Sequence, residues 1–171
     1  MTAPADGPPR EARARRPAGG SAALAPGLFA SWLLLLLLAL RVQRALLVPP
    51  IPIGPGASRA LTICFLMGWV LGIFWTILSL PPSAREPGLV TTGPFARVRH
   101  PLYAVSLFFL GLLTIASSRS WIVAAAWPVS YVIAGLWVRL EEAGLETRFG
   151  EAWRAYAART PRFIPRPRLG G

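Results

Sequence analysis

The sequence lacks most of the side chains on which metal sites and hydrolytic enzymes depend. It has no lysine, one histidine, one cysteine and seven acidic residues among 171. One cysteine excludes an internal disulfide, and one cysteine with one histidine leaves too few ligands for a structural zinc site. The only aspartate, Asp6, lies in an N-terminal tail, so no Ser-His-Asp arrangement is indicated. We therefore expect no bound metal.

Apolar residues dominate what is present. Hydrophobic residues make up 54% of the chain, and the mean hydropathy is +0.50. Charged residues make up 15%, against about 25% in typical globular chains. The net charge is +11 and every basic residue is an arginine, a bias typical of GC-rich bacterial genomes. Because these arginines flank long apolar runs, we expect them to contact lipid headgroups and to set the membrane topology. We do not expect a nucleic-acid partner.

Four apolar stretches predict an all-α integral membrane protein with about four transmembrane helices and a C-terminal helical tail. The predicted spans are residues 24–40, 60–80, 102–117 and 121–138. Residues 1–20 predict a disordered basic tail, and residues 21–171 a single membrane domain. A secretory signal peptide is the alternative for the first stretch, but no small-x-small cleavage site follows it, which favours a retained helix.

The distribution of arginine predicts the orientation of these spans. Fourteen arginines lie in the N-terminal tail, in the connection between the second and third spans, or from residue 139 onward. The other two connections hold four. The positive-inside rule therefore places both termini in the cytoplasm, and the inferred source places the protein in a bacterial cytoplasmic membrane.

Ionisable residues cluster at both ends of the hairpin formed by the third and fourth spans. Residues 97–103 precede the third span, and residues 139–142 follow the fourth. Pro101 is expected at the first position of the third helix, with His100 as its cap. Antiparallel folding should bring both clusters to one cytoplasm-facing pocket. Its carboxylates, arginines and tyrosine would suit a zwitterionic cofactor that also carries a cation.

Several segments resemble the isoprenylcysteine carboxyl methyltransferase family, whose relatives include phospholipid N-methyltransferases. The similar region is residues 89–165, and the order and spacing of its segments are more specific than any one of them. The segments are Thr92-Gly93-Pro94-Phe95, Arg99-His100-Pro101-Leu102-Tyr103, Glu141-Glu142-Ala143-Gly144-Leu145, Phe149-Gly150 with Trp153 and Tyr156, and Pro161-Arg162-Phe163-Ile164-Pro165. The resemblance implies an S-adenosylmethionine-dependent, membrane-embedded methyltransferase.

The resemblance also implies roles for individual residues. The cofactor-binding positions are Arg99, His100, Leu102, Tyr103, Glu141 and Glu142. Tyr156 and Arg162 match the tail that approaches the acceptor, and Val105 stands where many members have glycine. These three residues are expected to bind the acceptor. Catalytic roles are expected for His100, Glu142 and Arg162. Among these, His100 has the unperturbed pKa best suited to a base, and Glu142 is the second candidate if burial raises its pKa.

Three acceptors fit the resemblance, each a lipophilic molecule that enters from the bilayer. They are a phenolic lipid of the alkylresorcinol or alkylpyrone type, a prenylcysteine carboxylate and phosphatidylethanolamine. Similar small bacterial members O-methylate phenolic lipids, which favours the first. A small helical scaffold without catalysis is the alternative. A transporter fits less well, because no polar group marks a path through the bilayer midplane.

Overall fold

The computed structural model describes residues 20–80 and 88–166, with the side chains of residues 20–26 excepted. Four long helices make up most of this part of the chain: α1 Gly20–Ala45, α2 Pro55–Leu78, α3 Pro101–Ser118 and α4 Trp121–Arg159. A short 3-10 helix, Gly93–Ala96, precedes α3. All four long helices are long and apolar enough to cross a membrane. The prediction of an all-α integral membrane protein is confirmed, whereas the predicted tail falls almost entirely outside the described residues.

The helix starts follow from residues visible in the sequence. Proline occupies the first turn of both α2 and α3, where its missing N–H would have no intrahelical partner. His100 is the N-cap of α3, as predicted, although its side chain makes no capping hydrogen bond. Ser120 caps α4 by accepting a hydrogen bond from the backbone N–H of Val123 at 3.1 Å.

Two packed helix pairs build the bundle. α2 packs along α3, α1 packs along α4, and contacts between α3 and α4 join the pairs. Gly68 and Gly72 of α2 face α3, where a Cβ at Gly72 would come within 2.7 Å of Val105 Cγ1. Both glycines therefore allow α2 and α3 to pack closely.

The fourth helix differs from its predicted length. It does not end at residues 139–142 but continues as a helical segment to Arg159, interrupted at Gly150. Gly150 has φ 52° and ψ −123°, a backbone conformation that favours glycine. A cluster of charge marks the end of the apolar stretch, but it does not stop helix propagation. The change in chain direction therefore occurs two turns later than the charge pattern indicated.

Hydrogen bonds tie the two loops together at the end of the bundle opposite His100. Arg119 donates from Nη1 to the carbonyl of Ile53 at 2.9 Å, and its own carbonyl accepts from Ile51 N at 2.7 Å. Ser120 Oγ donates to Gln43 Oε1. The connection between α1 and α2 is therefore fixed to the turn between α3 and α4.

Candidate functional site

Glu142 lies at the centre of a buried ionic cluster at the His100 end of the bundle. Its Oε1 lies 3.4 Å from Arg99 Nη2 and 3.3 Å from His100 Nε2. Its Oε2 accepts hydrogen bonds from Arg162, from Nε at 3.0 Å and from Nη2 at 2.6 Å. The Glu142 side chain is 10% exposed and that of His100 is 5% exposed. Antiparallel folding of α3 and α4 has thus brought both predicted charge clusters together.

The chain after α4 is held at this cluster by its backbone as well. Arg99 N donates to the carbonyl of Pro161 at 2.8 Å, and His100 N donates to that of Arg162 at 3.2 Å. The second of these bonds satisfies the N-cap amide of α3, which has no partner within the helix. Residues 161–162 are therefore an integral part of the site.

Two aromatic residues beyond Gly150 also pack at this end of the bundle. Tyr156 donates its hydroxyl hydrogen to the carbonyl of Phe95 at 2.7 Å. Trp153 is buried, and the Arg99 guanidinium carbon lies 5.8 Å from the centre of its ring, within the range of a cation–π contact. The helical segment after Gly150 is thereby fixed against the 3-10 helix before α3.

The two arginines of the cluster differ in environment. Burial lowers the pKa of Arg99, which nevertheless lies beside the carboxylate of Glu142. Hydrogen bonding to Glu142 raises the pKa of Arg162. Both guanidinium groups are cations near neutral pH, since arginine pKa values lie far above it. The cluster therefore holds two permanent positive charges around one carboxylate.

A cavity of about 590 Å³, here called the interfacial cavity, opens beside this cluster. It brings together six of the predicted site residues: Arg99, His100, Leu102, Tyr103, Glu141 and Tyr156. Two buried polar atoms of its lining residues, Arg99 Nε and Glu141 Oε2, have no hydrogen-bond partner within the described residues. An unpaired donor and an unpaired acceptor on two residues that line one cavity favour a ligand that offers both complementary groups.

The remaining predicted site residues lie elsewhere. Glu142 and Arg162 line a second cavity of about 410 Å³, here called the α4 cavity, which also includes Arg99. Val105 lines a third, mainly apolar cavity of about 370 Å³ and packs over Gly72. The structure therefore does not bring Val105, predicted to bind the acceptor, into the interfacial cavity.

Sequence reasoning missed several residues of the interfacial cavity. Leu145 and Arg148 follow Glu141 by four and seven positions, a spacing that places all three on one face of a helix. The sequence would have indicated them had α4 been extended past residue 142. Phe29 of α1 and Trp69 of α2 also line the cavity, and no local motif marked either.

The described residues do not assemble a metal site. Residues 20–80 and 88–166 contain no group of three or more histidine, cysteine, aspartate or glutamate side chains placed to hold an ion. His100 Nε2 already lies against Glu142. Cys64 lies exposed on α2, away from that cluster.

Two curated proteins are similar to the chain. It is 35% identical over 115 residues to the nickel-cobalt-cadmium resistance protein NccN of Alcaligenes xylosoxydans xylosoxydans, covering 64% of this chain and 52% of NccN. It is 33% identical over 99 residues to the cobalt-zinc-cadmium resistance protein CzcN of Cupriavidus metallidurans, covering 56% of this chain and 44% of CzcN. This chain is similar to metal-resistance proteins. It spans about half the length of the curated relatives it matches.

The assignment to the isoprenylcysteine carboxyl methyltransferase family is wrong. No family model matches the chain, no solved structure matches it, and both relatives carry metal-resistance names. The predicted methylation of a phenolic lipid rested on that assignment and is wrong as well. The same applies to the prenylcysteine and phosphatidylethanolamine alternatives. The physical reason is that motif residues such as Glu142, Arg162 and Tyr156 hold the hairpin and tail together. Contacts of this kind fix a geometry without specifying a reaction.

Proposed function

We propose that this protein is a membrane component of bacterial resistance to nickel, cobalt or cadmium ions. The observation that carries the proposal is the 35% identity to NccN, which extends over 115 residues and 64% of this chain. The chain covers 52% of NccN, so the role proposed is that of a component and not of a complete resistance system.

The proposed component acts without coordinating the metal itself. The described residues offer no cluster of metal ligands, and Glu142 is already neutralised by two arginines. Divalent nickel, cobalt and zinc are usually held by several imidazole, thiolate or carboxylate groups at once. The protein would therefore support resistance through a different ligand, and the interfacial cavity is the space available for it.

The ligand proposed for the interfacial cavity is a zwitterion. Arg99 Nε is a donor that a carboxylate could satisfy, and Glu141 Oε2 is an acceptor that an ammonium could satisfy. S-adenosylmethionine carries both groups and a sulfonium, and the Tyr103 ring in the cavity wall offers that cation a π face. The proposal concerns binding, and the first ligand to test is S-adenosylmethionine.

Growth in the presence of metal ions tests the resistance proposal. The gene is deleted in its own host, and growth is measured over graded nickel, cobalt and cadmium concentrations. We expect the deletion to lower the concentration that halves the growth rate for at least one of these ions, and the wild-type gene to restore it. Unchanged tolerance to all three ions would overturn the proposal.

Calorimetry on the purified full-length protein tests the ligand proposal separately. Glu141→Gln removes the charge that would receive an ammonium, so binding of S-adenosylmethionine should weaken about 10- to 100-fold. Glu146→Gln makes the same change on the same helix outside the interfacial cavity and should leave binding unaltered. Equal loss in both variants, or no binding to the wild type, would contradict the proposal.

The proposed orientation has both ends of the chain in the cytoplasm of a bacterial cytoplasmic membrane. The support is the number of arginines at each end of the bundle. The end opposite His100 has fewer arginines than the His100 end: Arg41, Arg44, Arg59 and Arg119. In a Cys64→Ser background, a membrane-impermeant maleimide should label Gly54→Cys in intact cells. It should label Ala152→Cys only after permeabilisation, and the reverse pattern would invert the orientation.

A further inference from the structure

The α4 cavity has a charge composition unlike that of its neighbour. It is lined by four arginines, Arg99, Arg139, Arg154 and Arg162, and by two glutamates, Glu142 and Glu146. The lining of this cavity, whose volume is about 410 Å³, therefore carries more positive than negative charge. A cavity of this sign attracts anions.

Both glutamates of the α4 cavity are already paired. Glu142 is bound by Arg162 and Arg99, and Glu146 Oε1 accepts a hydrogen bond from Arg154 Nη1 at 3.2 Å. Arg139 is exposed and makes no ion pair within residues 20–80 and 88–166. Its guanidinium is thus available to an external anion.

Small side chains leave room beside these arginines. Three of the lining residues are alanines, Ala143, Ala157 and Ala158, and Trp153 is the large aromatic residue of the lining. A guanidinium presents parallel N–H donors that match two phosphate oxygens at once. The chemistry of the α4 cavity therefore suits a phosphate.

The surface beyond Arg139 is apolar and continuous. Val132, Leu136 and Leu140 are 65%, 56% and 60% exposed and are spaced by four residues along α4. Arg139 lies three positions after Leu136, on the same side of the helix. A ligand with its phosphate at Arg139 can therefore lay a hydrocarbon chain along this apolar stripe of α4, defined by those three residues.

We propose that the α4 cavity binds the phosphate headgroup of an anionic phospholipid, whose acyl chain lies along the apolar stripe. The α4 cavity shares Arg99 and Trp153 with the interfacial cavity, but Arg139 lines the α4 cavity alone, so the proposal does not depend on the zwitterion. A soluble phosphate ester shares the headgroup chemistry but would make no use of the stripe. Basic pockets at the end of transmembrane helices recognise anionic lipid headgroups in this way.

Native mass spectrometry of the full-length protein in detergent tests the site. Phosphatidylglycerol, phosphatidylcholine and, separately, inorganic phosphate are added to the purified protein. Phosphatidylglycerol should bind saturably and in preference to phosphatidylcholine. Arg139→Gln should weaken it about fivefold, the effect of one arginine near an anionic headgroup. Arg139 is exposed and without an ion pair among the described residues, so the variant should keep the elution profile of the wild type in size-exclusion chromatography.

Two further variants separate this proposal from a general charge effect and from a free anion. Arg159→Gln removes another exposed arginine of α4, one that does not line the α4 cavity, and should leave lipid binding unchanged. Leu136→Ser should weaken lipid binding without affecting inorganic phosphate. Equal loss in Arg139→Gln and Arg159→Gln, or no preference for the anionic lipid, would overturn the proposal. So would inorganic phosphate that binds saturably and displaces the lipid.

Discussion

Arg162 donates two hydrogen bonds to one oxygen of Glu142, from Nε at 3.0 Å and from Nη2 at 2.6 Å. This pair joins α4 to a segment 20 residues later, on the far side of the break at Gly150. Glu142 is also bound to Arg99 and His100, so one carboxylate connects three parts of the chain. The position of the segment after α4 therefore depends on a buried charge.

Replacing this carboxylate by a neutral amide should destabilise the protein strongly. Glu142→Gln keeps the shape of the side chain but leaves Arg99 and Arg162 as uncompensated cations, which costs about 3–5 kcal/mol. We expect that loss in the free energy of unfolding, measured by titration into SDS-containing mixed micelles.

The control is the exposed pair on the same helix. Glu146 and Arg154 have side chains that are 49% and 56% exposed, so Glu146→Gln should cost about 0–1 kcal/mol. Similar unfolding free energies for the two variants would contradict a structural role for the Glu142 cluster.

The sequence was sufficient to predict the meeting of the two charge clusters. Two apolar stretches joined by a short polar turn must fold as an antiparallel pair, so residues before the third span and after the fourth lie at one end. Pro101 at the first helical position predicted where α3 begins. Both inferences rest on helix chemistry that operates locally.

The division of the site into separate cavities could not be predicted. Glu141 and Glu142 are neighbours in sequence, yet successive helical residues point about 100° apart, so one lines the interfacial cavity and the other the α4 cavity. Tyr103 and Val105 diverge similarly on α3. Which side faces which space depends on how all four helices pack, and a linear motif does not contain that information. The function was misassigned for the same reason. The motif residues determine which parts of the chain contact one another, and a linear motif does not show which ligand the resulting cavities bind.

The contact between α2 and α3 should be sensitive to a single methyl group. A Cβ at Gly72 would lie 2.7 Å from Val105 Cγ1, so Gly72→Ala overpacks the interface at a cost of about 1–3 kcal/mol. Gly135→Ala is the matched control, because nothing lies within 4 Å of a Cβ at that position. It should stabilise the helix by about 0.5–1 kcal/mol. Val105→Ala should recover part of the loss in the Gly72→Ala background, and its failure to do so would place the strain elsewhere. Unfolding in mixed micelles measures all three.

The tie between the two loops should depend on Ser120. Its side chain caps α4 and donates to Gln43 Oε1, and Ser120→Ala removes both interactions. The loss of such a cap costs about 0.5–2 kcal/mol. Ser117→Ala is the control, since the Ser117 hydroxyl is exposed and bonds only within its own helix. Faster amide hydrogen exchange of Ile51, Ile53 and Gly54 in Ser120→Ala alone would support the tie, and equal exchange in both variants would argue against it.

Metal ions should find no specific site on the purified protein, even though its relatives are named for metal resistance. The chain has one histidine, His100, whose imidazole is 5% exposed and lies against Glu142. Calorimetric titration with nickel or cobalt should therefore give no saturable heat, and His100→Ala should behave as the wild type does. Cadmium, which favours thiolates, has one exposed cysteine available, so any weak binding should disappear in Cys64→Ser. Saturable nickel binding that is lost in His100→Ala would show that the buried cluster opens to coordinate metal. The resistance role would then have to be assigned to coordination in place of the ligand cavity.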